Sequence, residues 1–150
     1  MILISHRGNV NGKNPERENS PDYILEAMKS GYNVEIDVWY KNNCLYLGHD
    51  KPEYKINITF LNNDKLWCHC KNPEALAKLI NPRPPQEIHC FFHKTDDVTL
   101  TSKGYMWGFP KKRILKGSIC VLPEVAQYKK EDIQQCVGIC SDYIENYEDF

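Results

Sequence analysis

Three short clusters carry the residue types that chemistry on a phosphate needs. His6-Arg7-Gly8 sets an imidazole beside a fixed guanidinium, and Gly48-His49-Asp50 supplies a second imidazole. Two histidines can divide general-acid and general-base work around one phosphorus, because each titrates near neutrality. Arg7 can clamp phosphate oxygens through paired N–H donors. In Val34-Glu35-Ile36-Asp37-Val38 the two acids are two residues apart, so on a strand they share one face and the three apolar residues share the other. Pointed inward, two like charges are costly unless compensated, and a divalent cation such as Mg²⁺ or Ca²⁺ is the usual compensation. Pointed outward, the same pair reads as solvated acids on an edge strand.

A second set lies downstream. His89, Phe91 and His93 alternate onto one strand face, and His93 precedes Lys94-Thr95-Asp96-Asp97 as a candidate substrate-loop residue. Trp107, near Phe109-Pro110, suits either a pocket wall or the core. Glu124, after Leu122-Pro123, is a candidate ligand or acid, and Trp39 continues the Glu35–Asp37 face towards a pocket mouth. Cys68, His69, Cys70, His89, Cys90 and His93 do not form a structural zinc site, because Cys68 and Cys70 face away from His69 and lack the knuckle spacing.

The elements that must hold these groups are short apolar runs ending in polar residues: Ile2 to Ile4, Val34 to Val38, Leu45 to Leu47, Leu66 to Cys70, Ile88 to Phe92, Ile119 to Leu122 and Val137 to Cys140. Their length and β-branched or aromatic content predict strands. Ser20-Pro21 opens a helix with Tyr23, Ile24, Ala27 and Met28 on one face and Gly31 as its stop. Asn72-Pro73 opens another, faced by Ala75, Leu76, Leu79 and Ile80 and stopped by Asn81-Pro82. A shorter one is expected over Lys130 to Cys136, and the proline-rich stretch from Asn81 to Pro85 reads as a loop. Alternating strands and helices with polar residues at strand ends predict an α/β fold, a reduced TIM-barrel-like (β/α) architecture with several outer helices shortened or missing. A full barrel takes about 250 residues, and this chain has 150.

That length suits a single domain over residues 1–150. With 19 basic and 20 acidic residues, the chain has no net field for gripping nucleic acid or an anionic membrane. Nothing reaches the length of a transmembrane span or forms a signal peptide, so stable membrane insertion is not expected. Seven cysteines, an odd number, read as reduced thiols in a cytoplasmic protein. A barrel with few outer helices would expose Val34, Ile36 and Val38, which leaves a homo-oligomer open.

His6-Arg7-Gly8, Glu18-Asn19-Ser20-Pro21, Glu35-x-Asp37 and His49-Asp50, in that order over the first fifty residues, resemble the glycerophosphodiester phosphodiesterase family. The likeness is weaker beyond: Leu66 to Lys71 resembles the family's strand with a Glu-x-Lys pair, and Gly138 to Asp142 its closing strand. The resemblance implies a TIM-barrel-like fold and a metal-dependent phosphoric diester hydrolase of lipid metabolism. It implies His6 and His49 as the acid/base pair and Glu35 and Asp37 as metal ligands. It further implies Arg7 and Lys71 as phosphate-stabilising cations, with Glu18 helping to hold the site. His69 stands where the family has glutamate. As a ligand it would shift the preferred ion from Mg²⁺ or Ca²⁺ towards Mn²⁺ or Zn²⁺; otherwise the site holds metal weakly or not at all.

The expected substrate is a small glycerophosphodiester, attacked by a neighbouring hydroxyl or by water, and a lyase stopping at the cyclic phosphate fits the same residues. A contrasting expectation is an inactive barrel that binds a phosphorylated ligand or a protein partner.

Overall fold

The computed structural model describes residues 1–81, 87–126 and 128–150. Ten strands and three helices run in the order β1 (Ile2–His6), α1 (Pro21–Lys29), β2 (Asn33–Lys41), β3 (Cys44–Leu47), β4 (Tyr54–Ile56), β5 (Leu66–Cys70), α2 (Pro73–Ile80), β6 (Cys90–Phe92), β7 (Val98–Leu100), β8 (Met106–Gly108), β9 (Ile119–Val121), α3 (Lys130–Ile133) and β10 (Gly138–Ser141). The proline-rich stretch falls mostly outside the described residues.

One curled sheet holds them all. Parallel pairing runs β8-β9-β10-β1-β2-β5-β6, while β3 and β4 extend β2 antiparallel and β7 pairs antiparallel with β8. The edges of the sheet approach each other, β7 and the turn after it meeting β6, where Ser102 N donates to the Cys90 carbonyl at 2.8 Å and Thr99 Oγ1 to the Phe92 carbonyl at 3.0 Å. The fold is therefore mixed α/β with a curled, half-barrel sheet and few helices. Among the described residues, a complete ring of eight strand–helix units is not formed.

The curl separates an inside from an outside. Inside, Ile4, Trp67, Phe91, Trp107, Ile119, Val121 and Cys140 pack into a plug. Outside, Val34, Ile36, Val38, Cys68 and Cys70 are sealed by Ile24 and Ala27 of α1 and Ala75 and Leu79 of α2. The apolar face of β2 that gave reason to expect an oligomer is thus fully covered within the chain. A third cluster joins Tyr32, Cys120, Ile133, Cys136, Ile139 and Ile144 beneath α3 and the C-terminal turn.

Two expectations change in detail. Leu45 to Leu47 is a strand, but antiparallel, because Asn42 and Asn43 take positive φ of 50° and 59° and reverse the chain in two residues. Asparagine tolerates that left-handed geometry, which matches the twist of the flanking strands. The third helix stops at Ile133, short of Cys136.

Candidate active site

Strand register assembles the site. Parallel pairing sets His6 beside Glu35, Asp37 beside His69 and His69 beside Phe91. Adjacent residues in register point to the same face, so one layer of charged groups lies on the plug. Two tight turns bring in the rest. Arg7 and Gly8 have φ of 56° and 95°, and a Cβ on Gly8 would meet Tyr23 Cδ1 at 2.7 Å, so α1 closes down on the His6 turn. Gly48, at φ 143°, has the Lys51 carbonyl oxygen 2.2 Å from where a Cβ would sit. Only glycine fits that turn, which carries His49.

A cavity of about 730 Å³ opens above this layer, lined on its polar side by His6, Arg7, Glu35, His49, His69 and Lys71. His6 is held from behind. Its Nδ1–H donates to Asp142 Oδ1 at 2.6 Å, and Asn9 Nδ2 donates to the same oxygen at 2.8 Å. Burial pushes the Asp142 carboxyl up, but the bond and charge of His6, the Asn9 bond and the Lys13 charge together hold the group below its usual range. An ionised Asp142 can only accept, so the proton sits on His6 Nδ1 and Nε2 is left as the reactive atom. Glu124 braces this arrangement: it accepts from Asp142 N at 2.8 Å and from Ser141 Oγ at 3.0 Å.

His49 has the opposite polarity. Arg7 Nη2, which can only donate, lies 2.7 Å from His49 Nδ1. Asp37 Oδ2 also lies 3.3 Å from that nitrogen, but an atom accepting from arginine cannot donate to aspartate, and the shorter contact decides. His49 therefore carries its proton on Nε2. The same arginine donates through Nη1 to Glu18 Oε2 at 3.0 Å, and its Nε lies 2.9 Å from Asp37 Oδ2. Nη1 and Nη2 thus engage neighbouring side chains while Nε pairs with Asp37 by charge without an aligned hydrogen bond, making Arg7 a bracket for His49 and Asp37.

Glu35, Asp37 and His69 each offer a ligand atom within 4.8 Å of the others. Asn19 fixes Asp37, donating to Oδ2 at 2.9 Å and accepting from Asp37 N at 2.8 Å. His69 Nε2–H donates to the His93 carbonyl at 3.0 Å, which aims Nδ1 at Asp37 Oδ1 and Glu35 Oε1, 3.2 and 3.5 Å away. Burial would lower the His69 pKa, but these two carboxylates outweigh it and raise it to about 9. Burial likewise pushes Asp37 up, yet the positively charged His69, Arg7 and Lys71 around it hold it well below the usual carboxylate range. Lys71 Nζ stands 3.2 Å from Asp37 Oδ1.

A divalent ion fits these donors. Glu35 Oε2 and Asp37 Oδ1 are buried without an aligned hydrogen bond, a condition that ordinarily costs about 1–3 kcal/mol per group. The backbone bond to Nε2 gives His69 the tautomer a ligand needs. A metal would have to displace the proton on His69 Nδ1.

The other candidates divide. His93 and Trp107 line the cavity, and Trp107 also belongs to the plug, so both readings of it hold. Glu18 and Glu124 act from behind, on Arg7 and on Asp142. Trp39 donates to the Gly48 carbonyl at 2.7 Å and steadies the His49 turn. His89 bonds Thr101 Oγ1 at 2.8 Å, and burial lowers its pKa to about 4; it is a structural histidine. Asp142, Asn9 and Asn19 were not singled out as site residues. Asp142 carried the same signal as His49: a polar residue where an apolar run ends.

No family model, no curated protein and no solved structure matches the chain. Among the described residues, no helix is long and apolar enough to cross a membrane.

Proposed function

We propose that the protein is a phosphodiesterase acting on glycerophosphodiester-type substrates, with a reduced TIM-barrel-like fold as its scaffold. The observation that carries this reading is the opposed polarity of two histidines on one cavity. His6 offers a bare Nε2 backed by Asp142, and His49 offers an Nε2–H backed by Arg7.

In the proposed reaction, His6 Nε2 takes the proton of the attacking hydroxyl or water. As positive charge develops on the imidazole, the Asp142 carboxylate stabilises it. The His49 Nε2–H protonates the leaving oxygen. Lys71 and the Arg7 guanidinium offset charge on the non-bridging oxygens. Glu35, Asp37 and His69 would hold a divalent ion, which supplies further charge neutralisation at phosphorus. Mg²⁺ or Ca²⁺ suits the two carboxylates, and His69 opens the site to Mn²⁺ or Zn²⁺. Hydrolase and cyclic-phosphate-forming lyase share these steps and differ in whether water is admitted for a second attack.

One observation favours a second reading, an inactive barrel that binds a phosphorylated ligand or protein partner. Arg7, Lys71 and the raised-pKa His69 already surround Asp37, so the acid pair is compensated without an ion. The deciding experiment is hydrolysis of a panel of glycerophosphodiesters after chelation, with Mg²⁺, Ca²⁺, Mn²⁺ or Zn²⁺ restored. Turnover that falls about 10²–10⁴-fold in His49→Ala supports the enzyme. A folded protein without turnover on any substrate and ion supports the binder.

A further inference from the structure

The cavity is two-sided. Away from the charged groups it is walled by Trp107, Phe109, Pro110, Val121 and Leu122. Phosphate and a glycerol moiety would fill only part of a space of about 730 Å³, within the range that holds drug-sized ligands.

Two features of this wall point to a ligand. Leu122 lies in the left-handed region, at φ 49° and ψ 56°, where a γ-branched side chain costs about 1–2 kcal/mol and asparagine or glycine would sit more easily. The strained backbone nevertheless presents an apolar side chain to the cavity. Strain of this kind is concentrated at ligand-binding positions. Beside the wall, His93 is 9% exposed, and neither ring nitrogen has a hydrogen-bond partner. Its ring packs against Phe109 with centroids 5.0 Å apart. The apolar side thus holds one buried polar group with unmet donor and acceptor capacity.

We infer that the phosphodiester bound here carries a bulky apolar alcohol substituent, an alkyl or acyl chain, laid along Trp107, Phe109 and Leu122 with the phosphate at the Lys71 end. The inference rests on the phosphodiester reading, because it uses the same phosphate seat. His93 meets the one polar atom, such as an ester oxygen, that joins such a chain to the headgroup.

The test is calorimetric binding of two product-like monoesters, hexyl phosphate and glycerol 3-phosphate, in buffer containing Mg²⁺. Each buried methylene strengthens binding by a factor of about four, so hexyl phosphate is expected to bind at least about tenfold tighter. Leu122→Asn keeps the left-handed backbone and removes the apolar group. It is expected to cut that preference to about threefold or less, leaving glycerol 3-phosphate within about twofold of wild type. Phe109→Ser should act in the same direction. Equal affinity of the two esters for wild type overturns the apolar subsite while leaving the phosphate seat in place. Loss of both affinities together in Leu122→Asn also overturns it, because the residue would then be structural. Binding of neither ester by wild type overturns the subsite and the phosphodiester reading together.

Discussion

At the scale of single residues, the site is a set of side chains fixed by partners that have no other role. Asp142 is the clearest case, since it sets which nitrogen of His6 is free. Asp142→Asn keeps the shape but can donate through its amide, which favours the wrong imidazole tautomer. Turnover is expected to fall by about 10³–10⁴-fold with KM little changed; a loss under tenfold in steady-state kinetics would remove Asp142 from that role. His69 makes a prediction about stability. Its folded pKa of about 9 lies above its ordinary value of 6.5. The contribution is therefore fully present below pH 6.5 and is lost as pH rises through 9, on the order of 3 kcal/mol in chelator. Urea denaturation from pH 6 to 9.5 should show this decline, and His69→Gln should flatten it. Of the candidate site, His6, Glu35, Asp37 and His49 were legible because spacing of two on a strand and polar ends of apolar runs are geometric signals. Asn9 was not, and Asn19 was visible only as part of the Glu18-to-Pro21 motif without a role, because an asparagine that braces a carboxylate looks in sequence like any turn residue.

At the scale of elements, what reads well is what is locally determined. Helix α2 has its cap in sequence: Asn72 accepts from Ala75 N at 3.2 Å, and it also accepts from Tyr40 N and donates to the Tyr40 carbonyl. One residue both starts the helix and ties it to β2, so Asn72→Ala is expected to cost about 2 kcal/mol in denaturant unfolding, the upper end for a cap alone. Strands β7 and β8 were not foreseen. Each has three residues, and Val98 and Leu100 of β7 are exposed, so neither a long apolar run nor a clear inside–outside alternation marks them. They pair with each other as a short antiparallel hairpin, and β8 joins the sheet through a single pair, Trp107 with Ile119; strands this short depend on their sheet neighbours more than on their own pattern. The antiparallel direction of β3 was available in principle, in Asn42-Asn43 between two strand runs.

At the scale of the whole molecule, the governing quantity is charge gathered on one layer of the curled sheet. The net charge of −1 conceals it, because cations and acids are brought together from β1, β2, β5 and the turns after them. Around the cavity, Arg7, Lys71 and protonated His69 face Glu18, Glu35 and Asp37. That balance lets the layer be buried on the plug without an ion, so the protein should stay folded in chelator, with a sharp thermal transition by circular dichroism. A divalent ion entering this layer adds two positive charges and releases one proton from His69, leaving an excess of one positive charge that a singly charged phosphate group would neutralise. Metal and phosphate should therefore bind with positive coupling, each tightening the other by the same factor, about 5–150-fold for an ordinary coupling between sites. Titration of Mn²⁺ with and without saturating inorganic phosphate measures that factor. A value of one would mean that the ion and the phosphate do not share this layer, and the carboxylates would then serve only to orient Arg7, Lys71 and His69.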